Sequence, residues 1–180
     1  MTTRLASKAV TRLARDVQLV IFDVDGVLTD GSLFFDDHGG QYKAFNVRDG
    51  HGMRMLADAG VRIGVITGRN SGVVEHRMRD LGVELVMQGH RDKLPAFHTM
   101  LAGTGLETAQ VAYVGDDVVD LPVMRRVGLP IAVADAHPLV LSHAHWVTHA
   151  AGGHGAVREV CEMILLAQDR LDAALAPYLR

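Results

Sequence analysis

Little in this chain can cross-link, and nothing in it is long and apolar enough to span a bilayer as a helix. One cysteine, Cys161, stands among 180 residues, so no internal disulfide is available and a reducing, cytoplasmic setting is expected. No apolar run reaches the ~18–20 residues of a membrane-spanning helix. A basic excess is also missing. Eighteen Lys and Arg against 21 Asp and Glu give a net charge of −3, which argues against nucleic acid as the main partner. The ten histidines form no H-E-x-x-H and no paired Cys/His spacing, so they support no zinc-site argument. Repeats, low-complexity tracts and Pro/Ser-rich linkers are absent. A single domain is therefore expected, and a chain of this length buries roughly 70% of its unfolded surface without needing a disulfide or a structural metal.

What is present is an alternation. Short apolar runs rich in β-formers fall at 18–22, 61–66, 83–87, 110–114 and 130–133, with a weaker sixth at 145–148. Continuous apolarity of this kind marks strands covered on both faces. Helical patterns fall between them at 50–59, 71–81, 93–102, 117–127 and 156–174. Alternating strands and helices of these lengths predict right-handed crossovers and an α/β fold with a doubly wound parallel sheet. Ahead of it, residues 1–16 form an N-terminal extension. The first fifteen carry Arg4, Lys8, Arg12 and Arg15 and no acid, and lack the apolar core of a secretory signal. An amphipathic surface helix is expected there, with the main domain at 17–180.

One stretch breaks the alternation. Two β-rich runs, 32–35 and 41–47, flank Asp36-Asp37-His38-Gly39-Gly40, a good hairpin signal. The ribbon is too short to fold as a second domain. It carries Phe34, Phe35, Tyr42 and Phe45 in a chain only 5% aromatic, and an exposed apolar ribbon implies a partner.

In doubly wound sheets, ligands bind outside the carboxyl ends of the strands. Asp23 and Asp25 leave the first strand, Thr67 and Arg69 the second, and Asp116, Asp117 and Asp120 the fourth; Lys93 opens a helix, and Gly152–Gly155 precedes the last one. Taken singly, each is a turn, a cap or a solvated charge. Their convergence on one sheet edge is what carries meaning. Clustered carboxylates repel unless a cation is present, and oxygen donors without Cys or His favour Mg²⁺. A lysine and a threonine beside that cation suit a phosphate dianion. Metal-assisted phosphoryl transfer follows, with one carboxylate of the Asp23/Asp25 pair free to attack phosphorus and the other to act as acid and base.

These residues, in this order, resemble the haloacid dehalogenase superfamily of Mg²⁺-dependent phosphohydrolases, over residues 17 to about 176. The segments VDGVLTDG, VRDGHGM, ITGRNS, DKL, YVGDDVVDLPVM, AVADAHP and GGHGAVREVCEMILLAQ sharpen the resemblance to its capless phosphatases of sugar acid phosphates. That resemblance implies hydrolysis of 3-deoxy-D-manno-octulosonate 8-phosphate in lipopolysaccharide synthesis. It makes Asp23 the nucleophile, phosphorylated in turn, and Asp25 the acid/base. Mg²⁺ would be held by the Asp23 carboxylate, the Asp25 main-chain carbonyl and Asp116. Thr67 and Lys93 would grip the phosphoryl oxygens. Asp117 and Asp120 would stand behind them, orienting Lys93 or water at the metal. Arg69 and Arg77 match basic positions near the sugar acid, and Arg158 is a further candidate for the substrate carboxylate. The resemblance also implies a homotetramer in which hairpin flaps cover neighbouring sites.

Three other readings compete. A nine-carbon sugar acid phosphate would use the same chemistry. A signalling receiver domain would place its acid pair and phosphorylated Asp on separate strands, whereas Asp23 and Asp25 are two residues apart. A non-catalytic assembly domain of the same fold would have lost one of Asp23, Asp25, Lys93 or Asp116, and all four are present.

Overall fold

The apolar run ahead of Asp23 becomes the middle of a sheet in the computed structural model, which describes residues 7–180. In chain order the elements are α1 (Lys8–Arg15), β1 (Leu19–Phe22), β2 (Phe34–Phe35), β3 (Gln41–Tyr42), α2 (Val47–Asp58), β4 (Arg62–Ile66), α3 (Gly72–Leu81), β5 (Leu85–Met87) and α4 (Lys93–Thr104). They continue with β6 (Val111–Gly115), α5 (Leu121–Met124), β7 (Leu129–Ala132), α6 (Pro138–His143), β8 (Trp146–Val147), α7 (Ala156–Ala167) and α8 (Leu171–Leu175). Six strands form one parallel sheet in the order β5-β4-β1-β6-β7-β8. In register, Leu19 of β1 stands between Arg62 and Val111, and Phe22 between Val65 and Val114. All four residues of β1 are inaccessible, so both faces are covered, as its unbroken apolarity requires. Helices α1, α2 and α7 pack as one group, and α4, α5 and α6 as another.

From β1 the chain winds outward through β4 and β5, then returns to β6 on the other side of β1. The strand order reverses between β1 and β6, which opens a crevice at their carboxyl ends. Asp23 follows β1 and Asp116 follows β6, so the reversal brings the two acids together.

Several elements differ from the sequence pattern for local reasons. The strand expected at 41–47 ends at Tyr42, because the Asn46 side chain accepts from Arg48 N (2.8 Å) and starts α2 three residues early. The hairpin ladder is two pairs long, Phe34 with Tyr42 and Phe35 with Gln41. The helix expected at 117–127 is a 3₁₀ turn over Val118–Asp120 followed by the short α5, which has Pro at its first turn. The helix expected at 156–174 breaks after Ala167. There Asp169 takes a left-handed φ of 57°, with Asp169 N bonded to Leu166 O and Arg170 N to Leu165 O, a Schellman ending built without glycine. Helix α6 was not expected; Pro138 and the His137 side chain, which accepts from Leu139 N (3.1 Å), begin it.

Of the N-terminal stretch, residues 1–6 lie outside the described residues. Helix α1 lays Val10 and Ala14 into the core, and Arg15 Nε donates to Ala167 O at the end of α7 (3.1 Å). No helix among the described residues is long and apolar enough to cross a membrane.

Candidate active site

The first acid to leave the sheet is Asp23, whose backbone N–H still bonds to Val114 O (3.0 Å), so β1 and β6 fix it directly. The chain then turns at Gly26. Its φ is +95°, and a Cβ there would lie 2.1 Å from Asp116 Oδ2. Only glycine permits both the turn and the approach of Asp116 to the Asp23 loop. From β4, Thr67 arrives buried at the same edge, and Arg69 beyond it donates its N–H to Thr67 Oγ1 (3.4 Å). Lys93 opens α4 after an Asp92 cap, and it is buried.

Lys93 Nζ lies 2.7 Å from Asp23 Oδ1 and 2.6 Å from Asp120 Oδ1. Asp120 is fully used. Its Oδ1 also accepts from Tyr113 OH (2.6 Å), and its Oδ2 accepts from the N–H groups of Asp116 (3.0 Å) and Asp117 (3.2 Å). Carboxylate oxygens of Asp23, Asp116 and Asp120 all lie within 4.8 Å of one another. Asp120, with four donors, has no capacity left for a metal. Asp116 differs: its Oδ1 is buried and has no hydrogen-bond partner, an acceptor that asks for a cation.

Electrostatics agree. Burial first, then the Asp120 charge, raises the Asp23 pKa to about 7 against the pull of Lys93. Burial first, then Asp23 and Asp120, raises Asp116 to about 8. Burial works against the Lys93 ammonium, but Asp23 and Asp120 overcome it and the net shift is upward. Burial and Asp120 together push the Tyr113 phenol well above its usual value, so it donates as a neutral hydroxyl. A divalent ion between Asp23 and Asp116 would relieve the crowding.

The cleft over these groups has a volume of about 510 Å³ and is lined by Asp23, Asp25, Thr67, Arg69, Lys93 and Asp116, among others. Two expected residues stand differently. Asp117 lies at the cleft, but its carboxylate accepts from Val118 N (2.7 Å) and caps the 3₁₀ turn; Asp120 alone of that pair bonds Lys93. Arg77 is not brought to this cleft. It lies on α3 with its guanidinium 5.9 Å from the Phe45 ring centroid, filling the space that a side chain at Gly50 would take. Arg158 bonds Glu162 (2.6 Å) on α7.

Three contributors escaped the sequence reading. Arg91 lines the cleft from the loop before Lys93. Tyr113 was absorbed into an apolar run, although a buried phenol needs a partner. Lys43, just past β3, forms an ion pair with Asp25 Oδ1, while Arg69 Nε stands 3.5 Å from Oδ2. Lys43 is the lone lysine or arginine of the ribbon, and that was its available signal.

A family model described as haloacid dehalogenase-like hydrolase matches residues 83–160. The 3-deoxy-D-manno-octulosonate 8-phosphate phosphatase of Yersinia pestis is 51% identical over 165 residues, 92% of this chain and 88% of that protein. The crystal structure of the phosphatase of that name from Moraxella catarrhalis, in complex with magnesium ion, phosphate ion and KDO, superposes with a TM-score of 0.93 at 38% identity, covering 96% of this chain and 99% of that one. The cobalt-bound deoxy-D-mannose-octulosonate 8-phosphate phosphatase of Haemophilus influenzae gives 0.89 at 40% identity, covering 93% and 99%.

Proposed function

Because the chain belongs to the 3-deoxy-D-manno-octulosonate 8-phosphate phosphatases of the haloacid dehalogenase superfamily, we propose that it hydrolyses that ester to the free eight-carbon sugar acid and phosphate, within lipopolysaccharide synthesis. It is a phosphoric monoester hydrolase with Mg²⁺ as cofactor. The observation that carries the reading is the buried, unpartnered Oδ1 of Asp116, a residue whose carboxylate stands in one acidic cluster with that of Asp23 at the topological switch point.

Asp23 and Asp116 hold the Mg²⁺, completed by the Asp25 main-chain carbonyl. The ion supplies positive charge that lets Asp23 ionise beside other acids and neutralises phosphoryl oxygens. Thr67 and Lys93 bind those oxygens. An Asp23 carboxylate oxygen attacks phosphorus, the ester P–O bond breaks, and its electron pair stays on the sugar oxygen, which takes a proton from Asp25. Asp25 then removes a proton from water, the water oxygen attacks phosphorus, and the P–O bond to Asp23 breaks. Asp120 holds Lys93 in place with Tyr113 behind it. Arg69, which lines the cleft beside Asp25, meets the sugar acid.

The cleft has little cover from its own chain, and water at the phosphorus must be controlled. The aromatic hairpin supplies cover in a homotetramer, each ribbon closing a neighbour's site; Phe34, Phe35 and Tyr42 are 54%, 57% and 61% exposed in the single chain. A cytoplasmic location accords with the buried free thiol of Cys161. The test is phosphate release with Mg²⁺ from the eight-carbon and nine-carbon acid phosphates side by side. The reading predicts at least tenfold higher kcat/KM for the eight-carbon ester. Preference for the nine-carbon ester would reassign the substrate, and release from neither would remove the activity.

A further inference from the structure

The ribbon exposes three of its four aromatics, with Phe45 packed against the core, and buries the side chain of its lysine. Phe34, Phe35 and Tyr42 face solvent, yet the side chain of Lys43, one residue after Tyr42, is 1% exposed. This inverts the usual order, since a desolvated ammonium is unfavourable unless paired. Its partner is Asp25 Oδ1. Asp25 therefore has its two oxygens divided. Oδ1 is held from the hairpin, and Oδ2 is turned toward Arg69 (3.5 Å), which lines the cleft.

A carboxyl that delivers a proton to a leaving oxygen and later takes one from water needs a fixed rotamer with one oxygen on the phosphorus side. The rest of the Asp25 turn is fixed through its backbone: Thr29 Oγ1 accepts from Gly26 N (3.5 Å) and Gly31 N (3.2 Å) and donates to Val24 O (3.4 Å). None of those bonds reaches the Asp25 side chain. We propose that Lys43 is the positioning residue of the acid–base step: it pins Asp25 through Oδ1, so that Oδ2 faces the leaving oxygen. It also ties the placement of the hairpin to the acid–base group. The inference rests on the phosphatase reading above and goes beyond it in assigning a residue that lies outside the parallel sheet.

Leaving-group chemistry tests it. Breaking the P–O bond of an alkyl ester needs the Asp25 proton, whereas p-nitrophenolate leaves without one. First-turnover rates are measured with Mg²⁺ for wild type, Lys43→Met and Lys43→Arg, on 3-deoxy-D-manno-octulosonate 8-phosphate and on p-nitrophenyl phosphate. Using the first turnover separates ester cleavage from the later water step, which both substrates share. The proposal expects Lys43→Met to slow the sugar ester about 100-fold and the aryl ester less than threefold. Lys43→Arg should recover at least tenfold of the loss, and the melting-temperature rise produced by Mg²⁺ should stay as in wild type. Equal losses on both esters, no loss on either, or loss of the Mg²⁺ response overturns the positioning role. If Lys43→Met does not fold, Lys43→Gln takes its place: a slowed sugar ester with an unchanged aryl ester supports the proposal, and any other pattern overturns it. Wild type inactive on both esters overturns the phosphatase reading itself, and this inference with it.

Discussion

At Asp23 and Asp116 the fold holds two carboxyls whose ionisation it opposes, with pKa values raised by burial to about 7 and about 8 from the ordinary 3.8. Both bind protons more tightly folded than unfolded. Their contribution to stability in the metal-free protein is therefore complete below pH 3.8 and is lost as the pH rises through about 7 to 8. Mg²⁺ takes the place of those protons, so its stabilising effect grows over the same range. Scanning calorimetry should find a larger Mg²⁺-induced rise in Tm at pH 8.5 than at pH 6; equal rises would mean these acids do not bind the ion. Substitution separates the roles further. Asp23→Asn should lower turnover at least 1,000-fold, because the amide is a poor nucleophile. Asp25→Asn should keep the Mg²⁺ response, since the ligand proposed there is a backbone carbonyl, yet lose at least 100-fold in turnover. Kinetics paired with melting curves check both. Asp23, Asp25, Thr67, Lys93 and Asp116 were legible in the sequence because each stands at a strand end or helix start, where topology alone decides the neighbourhood. Lys43 and Arg77 were not, since their positions depend on how a ribbon folds back and how a helix face fills.

Among elements, the six strands were legible to within about two residues; burial on both faces leaves β1, β6 and β7 without a polar interruption. Helix ends were less so, because one side chain decides them: Asn46 starts α2 early, and Asp169 ends α7. Asp169 is the lone non-glycine with positive φ among the described residues, and that conformation costs an L-residue about 1–2 kcal/mol. Asp169→Gly should raise Tm by ~2–4 °C without changing turnover, as a thermal melt and an activity assay would show. A lower Tm would mean that the side chain makes a contact that outweighs the strain. The Gly152–Gly155 segment, singled out in the sequence for a site role, supports the catalytic turn of its own chain. A Cβ on Gly152 would meet Gly26 O at 1.7 Å, and Gly153 N bonds Val27 O (2.9 Å). Carboxylates hold the segment in turn: Asp135 accepts from Gly152 N (2.9 Å), and the buried Asp49 from Gly155 N (3.2 Å) and Arg158 N (2.8 Å).

For the whole molecule, Leu33, Phe34, Phe35 and Tyr42 project on a ribbon with no core of their own. That ribbon was legible in the sequence, but its partner was not, since an apolar surface does not name what covers it. In the proposed tetramer, deleting residues 32–47 should yield smaller particles in analytical ultracentrifugation. It should also narrow the preference for the eight-carbon ester over p-nitrophenyl phosphate at least tenfold. A truncated protein that remains a selective tetramer would place assembly elsewhere. Phosphorylation of Asp23 is the central step proposed, and borohydride tests it by reducing an acyl phosphate to an alcohol. Quenching turnover of the sugar ester with borohydride and sequencing the peptide by mass spectrometry should find homoserine at position 23, only with substrate and Mg²⁺ present. Turnover that continues with position 23 always recovered as aspartate would contradict it.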